Sequence, residues 1–169
     1  MAEVVSALSK VQSGYLPADL FFQVSRLAVV TAVEVVPLRY AQGQCEILLT
    51  QRPADDPFWP NQWHNPGSIM RPTDEPGTFA SALERVCSGE LGLTEWDSLV
   101  FVAPWFWHGA RGSVVSLVHW LDVTKVATMH DGTFYPVGKL PANLIPGMEP
   151  ILNLAVEHFK ATQSNERTK

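Results

Sequence analysis

The chain has 169 residues, of which 46% are hydrophobic and 17% are charged, and this balance excludes an intrinsically disordered chain. Its formal net charge of -5 argues against a nucleic-acid partner, because binding to a phosphate backbone relies on clustered Lys and Arg. The length predicts a single domain over residues 1–169, with a core from about residue 17 to about residue 160, a short N-terminal extension and a frayed C-terminal tail.

Three further features predict a cytoplasmic protein without a membrane partner. The first ten residues carry one positive charge, at Lys10, and lack the apolar run of a signal peptide. No window of the sequence reaches the roughly 18 uninterrupted apolar residues that a membrane-spanning helix requires. Cys45 and Cys87 show no Cys-x-x-Cys spacing, and we interpret them as reduced, packed thiols.

The first third of the chain predicts a helix followed by a β-hairpin. From Pro17, apolar residues spaced three to four apart predict a short helix. The runs LAVVTAVEVVPLRY and CEILLTQR are rich in β-branched residues and are separated by a turn at Gly43, which predicts two paired strands. Pro37 lies inside the first run, so we expect an edge position or a bulge there.

The middle of the chain predicts a long irregular loop and one helix. Residues 52–77 are rich in proline, and the aromatic side chains of this loop favour a functional role. Thr78 is the predicted N-cap of a helix with the sequence TFASALERVCSGEL, and Gly92 is its predicted stop.

The last third predicts a second hairpin and a closing helix. SLVFVAPWFW and SVVSLVHWLDV are strand-like runs joined by the turn HGARG. PGMEPILNLAVEHFKA carries one apolar stripe, which predicts a helix packed on the sheet, and TQSNERTK is the tail predicted to fray. Strands before and after one central helix, with another helix at the end, indicate an α/β fold with a mixed sheet between helices.

The most informative segment runs from Gln51 to Leu93. It contains Arg52 at the end of a predicted strand, then QWHNPGSI, an acidic pair at Asp74 and Glu75, and ALERVCSGELGL. This segment resembles the Nudix box, written Gx5Ex7REUxEExGU with U aliphatic, and the W-x-x-P-G approach to it. The resemblance implies an α/β/α sandwich and hydrolysis of a small molecule linked through a nucleoside diphosphate, with Mg²⁺ or Mn²⁺ as cofactor.

The resemblance assigns a metal site and also shows where this chain departs from the box. Aligned on ELGL, Arg85 takes the position of the arginine in the box and Glu90 that of its last glutamate. Glu90 and the carbonyl of Gly67 are therefore the expected metal ligands. Val86 and Gly89 stand at the two other positions where glutamates are expected, and Glu75 matches the first glutamate only if an insertion is allowed.

One branch of the superfamily shows a similar pattern. SALERVCSGELGL resembles the corresponding segment of GDP-mannose mannosyl hydrolases, and LPADLF resembles a segment that precedes their first strand. This resemblance implies a nucleotide sugar as substrate, attack of water at the sugar C1, and His130 as general base. The chain departs from the branch at Met129, where a metal-ligating glutamine is expected, and at Ile69, where an arginine is expected. LLTQR and its proline-rich continuation also resemble the coenzyme A diphosphatases, which rank second because the REUxEE core is absent.

The remaining candidate site residues are assigned to the substrate. Arg52 is predicted to reach a phosphate, because a guanidinium suits bidentate phosphate contacts. Trp63 and His64 are predicted to contact the substrate, and Arg85 is a candidate catalytic residue, with an ion pair that fixes the loop as the alternative. Two hypotheses follow: a hydrolase with a small-molecule diphosphate substrate, or a Nudix-fold ligand-binding module with weak or no catalysis. Nudix proteins that resemble this chain are often dimers, so a homodimer is a candidate assembly, which the sequence does not settle.

Overall fold

The computed structural model describes residues 1–12, 14, 16–126, 129–130 and 132–167. Within these residues, the helices and the strands have the following bounds. The α-helices are Ala2–Leu8 (α1), Ala18–Leu27 (α2), Ala80–Glu84 (α3) and Met148–Arg167 (α4), and α3 continues into a π-helix, Arg85–Glu90. The strands are Val29–Ala41 (β1), Gln44–Gln51 (β2), Trp63–His64 (β3), Gly67–Ile69 (β4), Leu99–Gly109 (β5), Gly112–Asp122 (β6) and Thr133–Pro136 (β7). No described helix is long and apolar enough to cross a membrane.

The strands form one mixed sheet of seven strands in the order β3-β2-β1-β6-β5, with β4 paired to β1 and β7 paired to β2. β1 pairs antiparallel with β2 and parallel with β6, and β5 pairs antiparallel with β6. Both predicted hairpins are therefore confirmed. The strong parallel pairing of β1 with β6 joins the two hairpins into one sheet.

Helices cover both faces of this sheet. Alternate residues of β1 point to opposite faces and therefore contribute to two separate cores. Val36 and Leu38 belong to a core that includes Phe159 of α4. Val33 and Val35 belong to a second core that includes Val86 of the π-helix. The predicted sandwich of a mixed sheet between helices is confirmed.

The prediction for Pro37 was wrong. β1 is a central strand, and Pro37 pairs with Leu121 of β6. Val35, two residues earlier, donates its N–H to the carbonyl of Pro66. The backbone nitrogen of Pro37 therefore points toward the same edge of β1 as the N–H of Val35. On that side β1 passes from β4, whose pairing ends at Glu34, to β2, whose pairing begins at Leu38. The N–H that proline lacks therefore falls in a gap between two partner strands.

Several boundaries differ from the sequence prediction. The central helix turns into a π-helix at Arg85. Its N-cap is Phe79, one residue after the predicted Thr78, and the Thr78 hydroxyl accepts a hydrogen bond from the backbone N–H of Ala80 at 3.1 Å. Gly92 ends the helical segment with φ of 69°, as predicted. α4 continues to Arg167, so the predicted fraying from residue 162 was wrong up to that point. The two short strands β3 and β4 interrupt the predicted loop.

Candidate active site

Two cavities share part of their lining, and residues of the proline-rich loop line both of them. The larger cavity has a volume of about 770 Å³ and the smaller one of about 450 Å³. Arg52, His64 and Glu90 line both cavities. Three of the predicted site residues are therefore brought to one place, at the junction of two spaces that a ligand can occupy.

Glu90 is the last residue of the π-helix and lies against β4. Its Oε2 accepts a hydrogen bond from the backbone N–H of Gly67 at 3.3 Å. Burial raises the pKa of Glu90 to about 6, while the Gly67 N–H and the charge of Arg52 act in the opposite direction. The predicted pair of Glu90 and Gly67 is thus in contact, through the N–H of Gly67.

A second carboxylate, Glu34 of β1, reaches the same place, and the sequence prediction missed it. Glu34 lies opposite Gly67 in the β1–β4 pairing and lines the larger cavity. Its Oε2 accepts a hydrogen bond from Asn65 Nδ2 at 2.8 Å, and its Oε1 accepts one from Ser116 Oγ at 3.2 Å. Burial raises the pKa of Glu34 to about 7, opposed by these two hydrogen bonds, and the nearby charge of Glu90 raises it further.

Gly67 is required by the space that Glu34 occupies. A Cβ at position 67 would overlap Oε2 of Glu34 and would lie 3.1 Å from the carbonyl oxygen of Val33. The Glu34 carboxylate can therefore reach the cavity because residue 67 has no side chain.

The donor set here fits one divalent cation. Glu34 and Glu90 both adjoin Gly67, and both carboxylates bear raised pKa values, which a bound cation would lower. Oδ1 of the buried Asn65 has no hydrogen-bond partner in the described structure. No three His, Cys, Asp or Glu side chains gather at a metal site within the described residues. Two carboxylates with water and substrate phosphates can nevertheless satisfy Mg²⁺, which usually keeps several waters.

Arg52 lines both cavities and is bound to Asp56. Its guanidinium forms an ion pair with the Asp56 carboxylate, with Nε to Oδ2 at 2.8 Å. Asp56 Oδ1 also accepts hydrogen bonds from the backbone N–H groups of Phe58 and Trp59. Arg52 therefore contributes to the shape of the loop that places Trp59 in the wall of the larger cavity.

His64 and Trp63 are on β3, next to β2. His64 Nδ1 lies 2.6 Å from the carbonyl oxygen of Asn65, so Nδ1 carries the proton, and Nε2 lies 3.3 Å from the Thr50 hydroxyl. Burial and the neighbouring Arg52 lower the pKa of His64 to about 4, which keeps the ring neutral. Trp63 lines the smaller cavity and packs edge-on against Tyr135.

Arg85 is not among the described residues that line the two cavities. Its guanidinium forms an ion pair with Asp74, with Nη2 to Oδ2 at 3.0 Å. Arg85 also donates hydrogen bonds to Ser68 Oγ at 3.4 Å and to the carbonyl of Ile69 at 3.2 Å. These contacts match the alternative in which Arg85 fixes the loop: it joins the helix that carries Glu90 to the strand that carries Gly67.

His130 also lies outside the described linings of both cavities. Its side chain is exposed and its ring fills the space beside Gly92, where a Cβ would overlap the imidazole. Its backbone N–H donates to the carbonyl of Leu91 at 2.9 Å. Gly132, two residues further on, does line the smaller cavity together with Glu90.

Another arginine in the lining of the larger cavity, Arg111, was also missed. It lies in the turn between β5 and β6, and its guanidinium carbon is 4.4 Å from the centre of the Trp59 ring. The sequence of the turn HGARG did not predict that Arg111 lines the cavity, because the position of the turn depends on the packing of the hairpin against α2. Glu34 did have a signal: it is a lone acidic residue in an apolar strand.

Comparison with known proteins supports the fold. No family model and no curated protein sequence matches the chain. The NUDIX domain of Shewanella oneidensis NrtR complexed with ADP ribose matches with a TM-score of 0.62 and 18% identity, over 78% of this chain and 89% of that one. A mutT/nudix family protein from Listeria innocua matches with a TM-score of 0.58 and 18% identity, over 85% and 99%. A C. elegans Ap4A hydrolase matches with a TM-score of 0.55 and 20% identity, over 80% and 99%. The chain therefore has the Nudix fold.

Proposed function

We propose that this protein is a Nudix-type hydrolase of a small molecule linked through a nucleoside diphosphate, with nucleotide sugars as the expected class and Mg²⁺ or Mn²⁺ as cofactor. The observation that carries the proposal is the junction of the two cavities: Arg52 and Glu90 line both of them, and Glu34 and Gly67 line the larger one. A diphosphate at this junction would leave room on either side for the groups attached to it.

The chemistry of the junction suits a diphosphate. Glu34 and Glu90 would hold the cation, and water and the substrate phosphates would complete its coordination. When bound, the cation would neutralise the charge that builds up on the diphosphate as a bond breaks. Arg52 would donate hydrogen bonds to a phosphate from the edge of the junction. His130, as the resemblance implies, would accept the proton of the attacking water.

The solved structures support the ligand class at the level of chemistry. One protein of the same fold was solved with ADP ribose, in which a diphosphate joins adenosine to a sugar. Another is described as an Ap4A hydrolase. Both compounds contain phosphates linked to a nucleoside, which is the class that we propose for this chain.

A substrate panel tests the proposal. Nucleotide sugars, ADP-ribose and Ap4A would be incubated with the protein with and without Mg²⁺ or Mn²⁺, and the products separated by chromatography. We expect metal-dependent turnover of at least one nucleotide sugar, lowered by at least about a hundredfold in Glu90→Gln. Glu84→Gln is the matched control, because Glu84 lies on the same helical segment with an exposed side chain. No turnover of any compound with either metal would contradict the proposal.

A ligand-binding module is the second candidate, and the composition of the helix favours it. Val86, at one expected glutamate position, is fully buried, and Gly89, at the other, has no side chain. Of the three positions in the helical segment where the Nudix box has a glutamate, only position 90 carries one in this chain. Under this alternative, ADP-ribose would bind with the same affinity in EDTA and in Mg²⁺, and no product would form.

A further inference from the structure

Arg111 brings a positive charge to the lining of the larger cavity. Within the described part of the chain, its guanidinium forms no ion pair and donates no hydrogen bond, and its Cζ lies 4.4 Å from the centre of the Trp59 ring. A guanidinium has five N–H donors, so its hydrogen-bonding capacity remains available to a ligand. Burial, followed by the nearby charge of Arg52, lowers the pKa of Arg111 below its ordinary value.

The fold holds Arg111 in this position. β5 and β6 are joined by a two-residue turn, Ala110 and Arg111, between the paired Gly109 and Gly112. Gly112 has φ of 133° and lies so close to the carbonyl of Ser25 that a Cβ would overlap it. The tip of the hairpin is therefore packed against the end of α2, and this contact directs the turn toward the cavity.

The wall on which Arg111 lies is fixed as well. Trp59 is 6% exposed, and its backbone N–H donates a hydrogen bond to Asp56 Oδ1 at 2.9 Å. Asp56 is in turn bound to Arg52. Two of the arginines that line the cavity thus differ: Arg52 is paired with a carboxylate, whereas Arg111 lies over an aromatic ring.

We propose that Arg111 and Trp59 form an anion subsite that binds a phosphate group of the ligand and so determines its specificity. A planar guanidinium held on an aromatic ring can present two parallel N–H groups to phosphate oxygens. The carboxylate of Glu34 lies near enough to Arg111 for their charges to interact, which lowers the pKa of Glu34. The subsite therefore adjoins the proposed cation site. This inference rests on the proposed diphosphate ligand but does not require catalysis.

The test is calorimetric binding in EDTA, in which no metal-dependent turnover occurs. The probes are ADP, inorganic pyrophosphate and adenosine, each titrated into the wild type and into Arg111→Gln, Arg111→Lys and Arg26→Gln. Arg26 is the control, because it is an exposed arginine at the end of α2, beside the same hairpin. Circular dichroism and thermal unfolding establish that each variant is folded.

We expect Arg111→Gln to weaken ADP and pyrophosphate binding by at least about tenfold, the scale of one charge-assisted contact. Arg111→Lys should fall between the wild type and Arg111→Gln, because it keeps the charge and loses the planar fork. Adenosine binding should not change, and Arg26→Gln should match the wild type. Equal affinities of wild type and Arg111→Gln for both anions would overturn the subsite, as would a folded wild type that binds neither anion.

The outcomes separate this inference from the proposed function. Binding of anions that depends on Arg111, without turnover of any substrate, would support the subsite and contradict the hydrolase. Metal-dependent turnover with an unchanged KM in Arg111→Gln would support the hydrolase and overturn the subsite.

Discussion

The backbone N–H of Gly67 donates a hydrogen bond to Oε2 of Glu90 at 3.3 Å, and this contact joins strand β4 to the π-helix at the junction of the two cavities. The same glycine leaves space for the carboxylate of Glu34 on its other side. One residue without a side chain therefore brings two acidic groups from different elements into one site.

Gly67→Ala should destabilise the protein and disturb the site. The added methyl would overlap Oε2 of Glu34, and relief of such crowding costs about 1 to 3 kcal/mol in a packed environment. Urea unfolding measures the loss. Gly138→Ala is the control, because no heavy atom lies within 4 Å of a Cβ at that position. Equal unfolding midpoints for the two variants would contradict the packing described here.

Glu34 should make the folded state less stable as pH rises from about 4.5 to about 7, the interval between its ordinary and its folded pKa. In this interval the folded protein binds the proton more tightly than the unfolded chain, so each rise in pH favours unfolding. Glu34→Gln should remove this dependence. The free energy of unfolding of Glu34→Gln minus that of the wild type should therefore be larger at pH 8 than at pH 5, by about 1 to 3 kcal/mol.

The comparison must be made as a difference between Glu34→Gln and wild type at each pH. His64, with a pKa lowered to about 4, has the opposite sign: its contribution to stability is lost as pH falls from 6.5 toward 4. This effect is present in both proteins and cancels in the difference. A difference in unfolding free energy that stays constant between pH 5 and pH 8 would show that Glu34 does not titrate in this interval.

Much of the fold was predictable from the sequence, because it depends on local patterns. The two hairpins follow from runs of β-branched residues around short turns, and the stop at Gly92 follows from a left-handed backbone that glycine adopts easily. The central position of β1 was not predictable from Pro37, because the gap between β4 and β2 depends on how distant segments pair. The π-helix from Arg85 likewise has no local sequence signal.

The site was predictable where a motif covers it. Glu90 and Gly67 were found through the resemblance, and the structure places them in contact. Glu34 and Arg111 were not found, because their place in the cavity results from the parallel pairing of β1 with β6 and from the packing of a hairpin tip on α2. Sequence spacing within one element does not reveal such contacts between elements.

Asp74→Asn should destabilise the protein by about 1 to 3 kcal/mol, since it removes the charged partner of Arg85. The Asp74 side chain is 5% exposed, and the hydrogen bond from Arg85 lowers its pKa. Chemical denaturation measures the loss. Glu46→Gln, which breaks the more exposed pair with Arg39, should cost only about 0 to 1 kcal/mol. Equal costs for the two variants would show that Arg85 and Asp74 do not fix the helix to β4.

His130→Ala tests the general base. The exposed imidazole makes the variant compatible with the fold, so thermal unfolding should match the wild type. If His130 accepts the proton of water, kcat should fall by at least about a hundredfold. A kcat equal to that of the wild type would remove His130 from the mechanism.

The central claim is that the carboxylates of Glu34 and Glu90 hold one divalent cation beside Gly67. Electron paramagnetic resonance of Mn²⁺, titrated into the protein in the presence of ADP, measures this cation directly. We predict one bound Mn²⁺ in the wild type and in Glu84→Gln, with the affinity lowered at least about tenfold in Glu34→Gln and in Glu90→Gln. Identical Mn²⁺ binding in all four proteins, or no bound Mn²⁺ in the wild type, would contradict the claim.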